Sequence, residues 1–450
     1  MVRRIVTVLA LVMAGLAVPR PALAANSGVL EYLGRISGTA TLSGQYNRQP
    51  LATPSMWSQR AYDITGAWPA VWGQDFEFEA SEVAARQTMV DEAISQWSAG
   101  SLVTLSWHVC PPTVAEPCDY YDDVRGDLTD AQWTEILTDG SALNTAWKAR
   151  LDAIVPYLAQ LRDAGVEVLF RPLHELNETA FWWSGHTGSP ALYRITHDYL
   201  LAQGLTNLVW VWNVDDWAAS TALAKYYPGA DYVDVVTLDV YRNRFPTQEY
   251  YDAIRAIAGG KPIALGEVAS VPAPADLAGQ PLWTYWLPWA EYLVDAAYNT
   301  DDAIRATYAD GRTVNRDEVA VPVNLSKGRP TYASSVDSTT RPATSATDAS
   351  MTTRWSSAYT SDGWIYVDLG AVRSVRSVQL AWEVAYAKKY QIQTSTDQTT
   401  WTTVYQNDAG DGGTDAIAFT TPVGARYVKM YAWSRATVYG YSLWDMSVFG

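Results

Sequence analysis

The chain has 450 residues, with 32 Lys and Arg against 48 Asp and Glu and a formal charge of −16. Such a surface repels nucleic acid and anionic lipid, so a neutral substrate suits it better. Aromatic residues make up 12% of the chain, as 21 Trp and 28 Tyr against only 7 Phe. The bias is therefore toward rings that carry a polar handle, the kind that lie on the apolar faces of sugars.

Residues 1–24 place Arg3 and Arg4 ahead of an apolar run from Ile5 to Val18 and end on Ala22-Leu23-Ala24. That is the pattern of a secretory leader, and the run is shorter than the roughly 20 residues a membrane span needs. A secreted, extracellular chain beginning near Ala25 is expected, with no membrane contact. The two cysteines, Cys110 and Cys118, then belong to an oxidising compartment. They are expected to form one disulfide; a zinc site competes poorly because no Cys/His cluster accompanies them.

From residue 39 onward, short apolar strands alternate with amphipathic helical segments. The strands are predicted at 39–47, 68–76, 102–109, 166–175, 208–214, 233–241, 261–268 and 282–289. Eight such units close a (β/α)8 barrel, here assigned to 25–318; a doubly wound open sheet would show a Gly-rich phosphate loop after its first strand. Between strands three and four, Trp147, Leu151, Ile154, Val155, Leu158 and Leu161 recur at helical spacing and predict one helix that stops at Gly165. Beyond a short linker at 319–323, the Ser/Thr-rich stretch 324–450 has the alternation of an all-β sandwich. The fold class is thus an α/β TIM barrel followed by a β-sandwich.

Barrel enzymes carry their reactive groups at the C-terminal ends of the strands. The polar residues there are Gln45, Asn47, Asp75, His108, His174, Glu175, Asn213, Asp239, Tyr241, Glu267 and Trp289. Glu175 and Glu267 end otherwise apolar strands, four and seven, which lie nearly opposite one another in a closed barrel. Two such carboxylates are what a retaining glycosidase uses, one as acid/base and one as nucleophile. The competing role for each is an ion pair with a barrel residue such as Arg171.

Several segments carry a resemblance: LSGQYN, TGAWPAVWGQDF, VTLSWH, FRPLHELNETAFWWSG, LVWVWN, VDVVTLDVY and ALGEV. From about Leu30 to Asp317 the chain resembles the family 26 glycoside hydrolases, mostly endo-β-1,4-mannanases. The resemblance implies Glu175 as acid/base and Glu267 as nucleophile. It implies further that His174 orients Glu175 and touches the sugar, that His108 bonds sugar hydroxyls and that Tyr241 donates to Glu267. Trp289 becomes the floor of the subsite for the attacked sugar, with Trp182 and Trp183 as further sugar platforms. Ala180 departs from the family's usual Trp, which puts specificity in doubt: β-1,3-xylan or mixed-linkage β-glucan is the alternative substrate, and a barrel that binds carbohydrate without cutting it is the remaining one. No cofactor is implied for catalysis, and a monomer is expected.

Residues 324–450 resemble the discoidin, or coagulation factor 5/8 type C, fold of many carbohydrate-binding modules. The segments are NLSKGRPTYASS, ATDASMTTRWSS, WIYVDLG, YQIQTSTDQTTW, ARYVKMY and YGYSLWDMSVFG. That resemblance implies a structural Ca²⁺ held by Asp348, Thr353 and Asp445, and a bound carbohydrate. Trp382, Glu383, Tyr386 and Trp433 are candidates to hold the sugar, and Trp355 is assigned to packing.

Overall fold

The computed structural model describes residues 27–322, 324–348, 350 and 353–450. The expected leader lies outside them, as does Val323 of the expected linker. Eight parallel strands form a closed ring: β1 (Thr41–Tyr46), β2 (Val71–Asp75), β3 (Leu102–Trp107), β4 (Val168–Pro172), β5 (Leu208–Asp215), β6 (Val235–Val240), β7 (Ile263–Val268) and β8 (Trp283–Pro288). β1 pairs with both β2 and β8, which closes the barrel, and a short β9 (Thr313–Val314) runs parallel to β1 outside the ring. All eight predicted strands are present.

Every residue of these eight strands is buried. That is the signature of a parallel sheet covered on both faces. One set, including Leu42, Val71, Leu169, Val211, Ala264 and Tyr285, packs with Val29, Leu33 and Ile36 of the helix Gly28–Ile36, which closes the N-terminal end. The alternate set, including Trp72, Val103, Phe170, Trp212, Leu238 and Trp286, packs beneath the outer helices.

The single helix expected from Trp147 to Gly165 is two helices, Ala142–Asp152 and Val155–Asp163. Pro156 explains the break: it has no amide hydrogen to continue the ladder and is suited to the first turn of a new helix. The apolar spacing runs across the break because both pieces press the same face on the barrel. Gly165 does end the second helix, at φ +76°.

The second sheet is antiparallel throughout. Its strands are β10 (Thr331–Ala333), β11 (Trp355–Ser356), β12 (Gly363–Trp382), β13 (Ala387–Ser395), β14 (Thr402–Asn407), β15 (Thr414–Arg435) and β16 (Ser442–Phe449). The order is β11-β16-β12-β15-β13-β14, with β10 on the edge of β12. Ile365, Val367, Leu380, Ile392, Val428 and Met430 fill its core around Trp355. Trp355 is fully buried and donates its indole N–H to the Ser335 carbonyl at 3.0 Å, a packing role.

Candidate active site

At the C-terminal mouth of the barrel lies a cavity of about 480 Å³. His108, His174, Glu175, Tyr241, Glu267 and Trp289 all line it, so six of the expected site residues converge although they come from five different strands.

Arg171, buried within β4, organises the floor. Its guanidinium donates to Asp239 Oδ2 at 2.7 Å and, through its other terminal nitrogen, to Glu267 Oε1. The second Glu267 oxygen accepts the Tyr241 hydroxyl at 2.5 Å. Glu267 thus has both a cation and a hydroxyl, the partners of a carboxylate anion. Asp239 also accepts from Asn213 Nδ2 at 2.8 Å. The backbone of Gly266 explains why a glycine precedes Glu267: a Cβ there would lie 2.6 Å from Asp239 Oδ1 and 3.0 Å from Asn213 Nδ2.

Glu175 stands apart from this network. Arg171 does not reach it, yet one oxygen from each of Glu175, Asp239 and Glu267 lies within 4.8 Å of the others. Burial, and then the charges of Asp239 and Glu267, push the Glu175 carboxyl well above the usual range. Burial raises Asp239 well above the usual range too, against the pull of Arg171, so three acids share one cation and Glu175 is the one that the cation does not pair. A cluster of three carboxylates also has the make-up of a metal site, but the Arg171 guanidinium already supplies the positive charge to two of them.

The backbone around Glu175 is held in an uncommon shape. Leu173 and Glu175 both have left-handed φ, +50° and +52°. Asn213 Oδ1 accepts the Glu175 amide at 2.7 Å and Trp183 Nε1 donates to the His174 carbonyl at 2.8 Å, so neighbouring side chains over-determine the turn.

His108 and His174 meet edge to face with centroids 4.4 Å apart. His108 Nδ1 pairs with Asp75 Oδ2 at 2.9 Å, and Asp75 Oδ1 accepts the His108 amide at 2.9 Å. Burial alone would raise Asp75, but the His108 ring and the hydrogen bonds from His108 and Ser106 outweigh it and hold the carboxyl at about 2. His174 is pushed well below the usual histidine range by burial and by the charges of His108 and Arg171. It is a neutral ring beside the acid. Trp289 closes the floor, stacked on Tyr46 with centroids 4.8 Å apart.

Trp182 and Trp183 require correction. Both are buried, Trp182 donates to the Val109 carbonyl at 2.7 Å, and neither lines the cavity. They are the packing beneath the site, not sugar platforms. Phe181, stacked on Trp183 at 4.6 Å, is the ring of that run which lines the cleft. Ala180 is partly buried against the core.

The disulfide joins Cys110 to Cys118. Within its loop Glu116 takes a two-pronged contact from buried Arg86 at 2.8 and 2.9 Å, and Arg86 also donates to the carbonyls of Phe76 and Glu77. The loop is thereby fastened to the end of β2. Tyr120, just beyond it, stacks on Phe78 at 5.8 Å, and both rings line the cleft. Sequence reasoning missed these two, and it missed the Arg48–Glu291 pair at 2.9 Å and the buried Glu77 carboxyl, which accepts from Gln49 at 3.0 Å. All lie in the connections beyond the strand ends, in loops or short irregular helices, where no strand alternation marks them.

Residues 19–318 match glycosyl hydrolase family 26. The chain belongs to that family. This family 26 hydrolase is 31% identical over 310 residues to a mannan endo-1,4-beta-mannosidase of Thermothelomyces thermophilus, covering 66% of this chain and 61% of that one. It is 30% identical over 322 residues to a mannan endo-1,4-beta-mannosidase of Bacillus subtilis, covering 64% of this chain and 85% of that one. It thus spans under two thirds of the first relative's length. Among solved structures, the GH26A of a Muricauda species superposes with a TM-score of 0.61 at 32% identity, over 65% of this chain and 96% of that one. Residues 330–446 match the F5/8 type C domain. The chain thus joins a glycoside hydrolase family domain to a C-terminal F5/8 type C domain.

In that domain Trp382, a candidate either to hold sugar or to pack in the core, is placed in the core. Its ring is buried and its Nε1 donates to Asp415 at 2.7 Å. Glu383 pairs with Arg354 at 3.0 Å, Tyr386 packs over Gly412, and Trp433 stacks on Tyr431 at 5.9 Å. Among the calcium candidates, Thr353 donates to Asp348 at 2.7 Å, while buried Asp445 accepts from Ser447 at 2.6 Å.

Proposed function

We propose that this chain is a secreted, retaining endo-β-1,4-mannanase acting on mannan, glucomannan or galactomannan, with residues 25–318 as the catalytic unit. The observation that carries it is the uneven sharing of Arg171: Glu267 is ion-paired, and Glu175, close beside it, is not. Glu175, protonated, gives its proton to the glycosidic oxygen as the bond to C1 breaks. Glu267 attacks C1 and forms a glycosyl ester; Glu175, now a carboxylate, takes a proton from the water that releases it. A separation near 5 Å suits a nucleophile in contact with the anomeric carbon, whereas inverting pairs leave about 6.5–9.5 Å for a water. Tyr241 and Arg171 position Glu267. His174 remains neutral and His108, with its Nδ1 committed to Asp75, turns Nε2 toward a sugar hydroxyl. Trp289 takes the apolar face of the attacked sugar. The mannan preference is supported by the relatives, and the carbohydrate-binding unit is 324–450.

The donor set in the second domain fits Ca²⁺, since Asp348, Thr353 and Asp445 offer oxygen alone. The β11–β16 register, Trp355 opposite Leu443, runs Thr353 toward Asp445 when carried two residues further. A bound ion there would neutralise Asp348 and Asp445 and hold the loop against β16.

The test is hydrolysis of linear mannan, galactomannan, β-1,3-xylan, mixed-linkage glucan and carboxymethylcellulose, with the anomer of the first product read by NMR. Release from mannans, with the β-anomer formed first, is expected. Release only from xylan or mixed-linkage glucan overturns the substrate, and first formation of the α-anomer overturns the mechanism. For the ion, chelation is expected to lower the melting temperature of the native chain and leave Asp445→Ala unchanged.

A further inference from the structure

The outward face of the sandwich sheet is built from aromatic rings. Along β12, Ile365 and Val367 point into the core, so Trp364 and Tyr366 lie on the other side; along β15, Val428, Met430 and Ala432 are in the core, so Tyr427, Lys429, Tyr431 and Trp433 lie on the other side, where Trp401 covers Tyr366 and Tyr427. The register sets Trp364 across from Tyr431 and Tyr366 across from Lys429, and places Tyr332 of β10 opposite Tyr366. On β13, Gln391 lies across from Tyr431 and Gln393 across from Lys429.

The rings overlap like shingles. Tyr332 and Tyr366 have centroids 5.2 Å apart, Trp364 and Tyr366 5.5 Å, and Tyr431 and Trp433 5.9 Å, each pair tilted by only 24–27°. That is offset stacking, which leaves part of each ring face open. Tyr332 is 50% exposed, and Trp364, Tyr431 and Trp433 are half-buried. Tyr366 is the fixed underlayer, bonded through its hydroxyl to Gln398 at 2.5 Å.

The face offers rings and two amides, with the Lys429 ammonium seated over the Trp401 ring at 3.6 Å and no aliphatic side chain among those outward positions. A protein partner would call on aliphatic anchors as well, and the −16 charge of the chain disfavours self-association. Rings with hydrogen-bonding groups between them match alternating apolar faces and hydroxyl edges of a neutral sugar chain.

We propose that this sheet face is a binding surface for an extended neutral β-linked polysaccharide, gripped by Tyr332, Trp364, Tyr431 and Trp433 with Gln391 and Gln393 on its hydroxyls. It rests on the polysaccharide reading of the barrel and adds where the second domain holds the polymer. Two sites on one chain raise the local concentration of polymer at the cleft.

The experiment measures depletion of the full chain from solution by insoluble linear mannan and by cellulose, on ice, alongside hydrolysis of a soluble mannopentaose. Trp364→Ala and Trp433→Ala are each expected to weaken retention about 3- to 10-fold, and the double variant further. Melting temperature and oligosaccharide hydrolysis should match the parent. Tyr359 and Tyr439, exposed at a loop end of the sandwich, serve as the contrast. Parental retention by the double variant, loss confined to Tyr359→Ala and Tyr439→Ala, or no retention of the parent chain each overturns the proposal. Failure of the parent to hydrolyse any β-glycan would instead strike the mannanase reading, because retention is scored independently.

Discussion

In the barrel, Arg171, Glu175, Asp239 and Glu267 crowd into one buried knot at the ends of β4, β6 and β7. In the sandwich, Tyr332, Trp364, Tyr431 and Trp433 spread over an outer face that water reaches. The difference suits the two roles proposed for these regions. Breaking a bond needs charges whose protonation is set by a low-dielectric, over-determined surround; gripping a polymer needs area and tolerance of register. Single substitutions should therefore act on the barrel steeply and on the sandwich gently.

The steepest case is Glu267→Ala, which is expected to lower kcat on mannan by about four or more orders of magnitude. Steady-state rates measure it, with circular dichroism to show that the fold persists. Retention on insoluble mannan should be unchanged. A residual rate within tenfold of the parent would separate the knot from the chemistry and erase the comparison.

Glu175→Gln should cost about 10²–10⁴-fold on polysaccharide and far less on an aryl mannoside whose leaving group needs no proton. It should also stabilise the fold. Burial and the neighbouring acids raise the Glu175 pKa, so the native state favours the proton more than the unfolded chain does. The stability this group contributes is full below the ordinary glutamate range and is lost as pH rises through the raised native value. The neutral glutamine is free of that loss. The melting temperature of the variant should exceed the parent's by a margin that widens as pH rises above about 5; a margin that narrows would reverse the assignment of the proton.

Asp75→Asn comes next. The carboxylate held near 2 fixes the His108 ring, and hydrogen bonds to charged groups are worth about 1.5–3 kcal/mol. A fall of about 10- to 100-fold in kcat/KM is expected, because the His108 ring loses the partner that orients it.

What could be read from the sequence divides along the same line. Glu175 and Glu267 were legible because a carboxylate that ends an apolar strand is anomalous in a buried sheet, and the strand count places the two across the barrel. Arg171 was legible only as a competitor, although the structure gives it both roles: it is the ion-pair partner of Glu267 and the reason Glu175 has none. Tyr120, Arg48 and Glu77 could not be read, because loops and a short π-helix bring them to the cleft and no periodicity points there. The break at Pro156 was readable and outvoted by the apolar spacing. Of the aromatic face only Trp433 was legible as a sugar candidate; Trp364, Tyr431 and Tyr332 join it only once the pairing register is known.

Trp182 marks where an aromatic letter alone misleads, and it yields the gentlest barrel prediction. Its ring is buried and its N–H is spent on the Val109 carbonyl beside the disulfide loop. Trp182→Phe removes that hydrogen bond and leaves a partial void, together about 1–2 kcal/mol. The melting temperature should fall while KM for mannan stays within twofold of the parent. Trp289→Phe, on a ring that lines the cleft, should do the reverse: little change in melting and a several-fold rise in KM. If Trp182→Phe raised KM as Trp289→Phe does, the run FWW would be a set of sugar platforms after all, and the packing drawn beneath the acid would be wrong. The two substitutions delete the same atoms from the same ring, so whatever separates them measures position rather than chemistry.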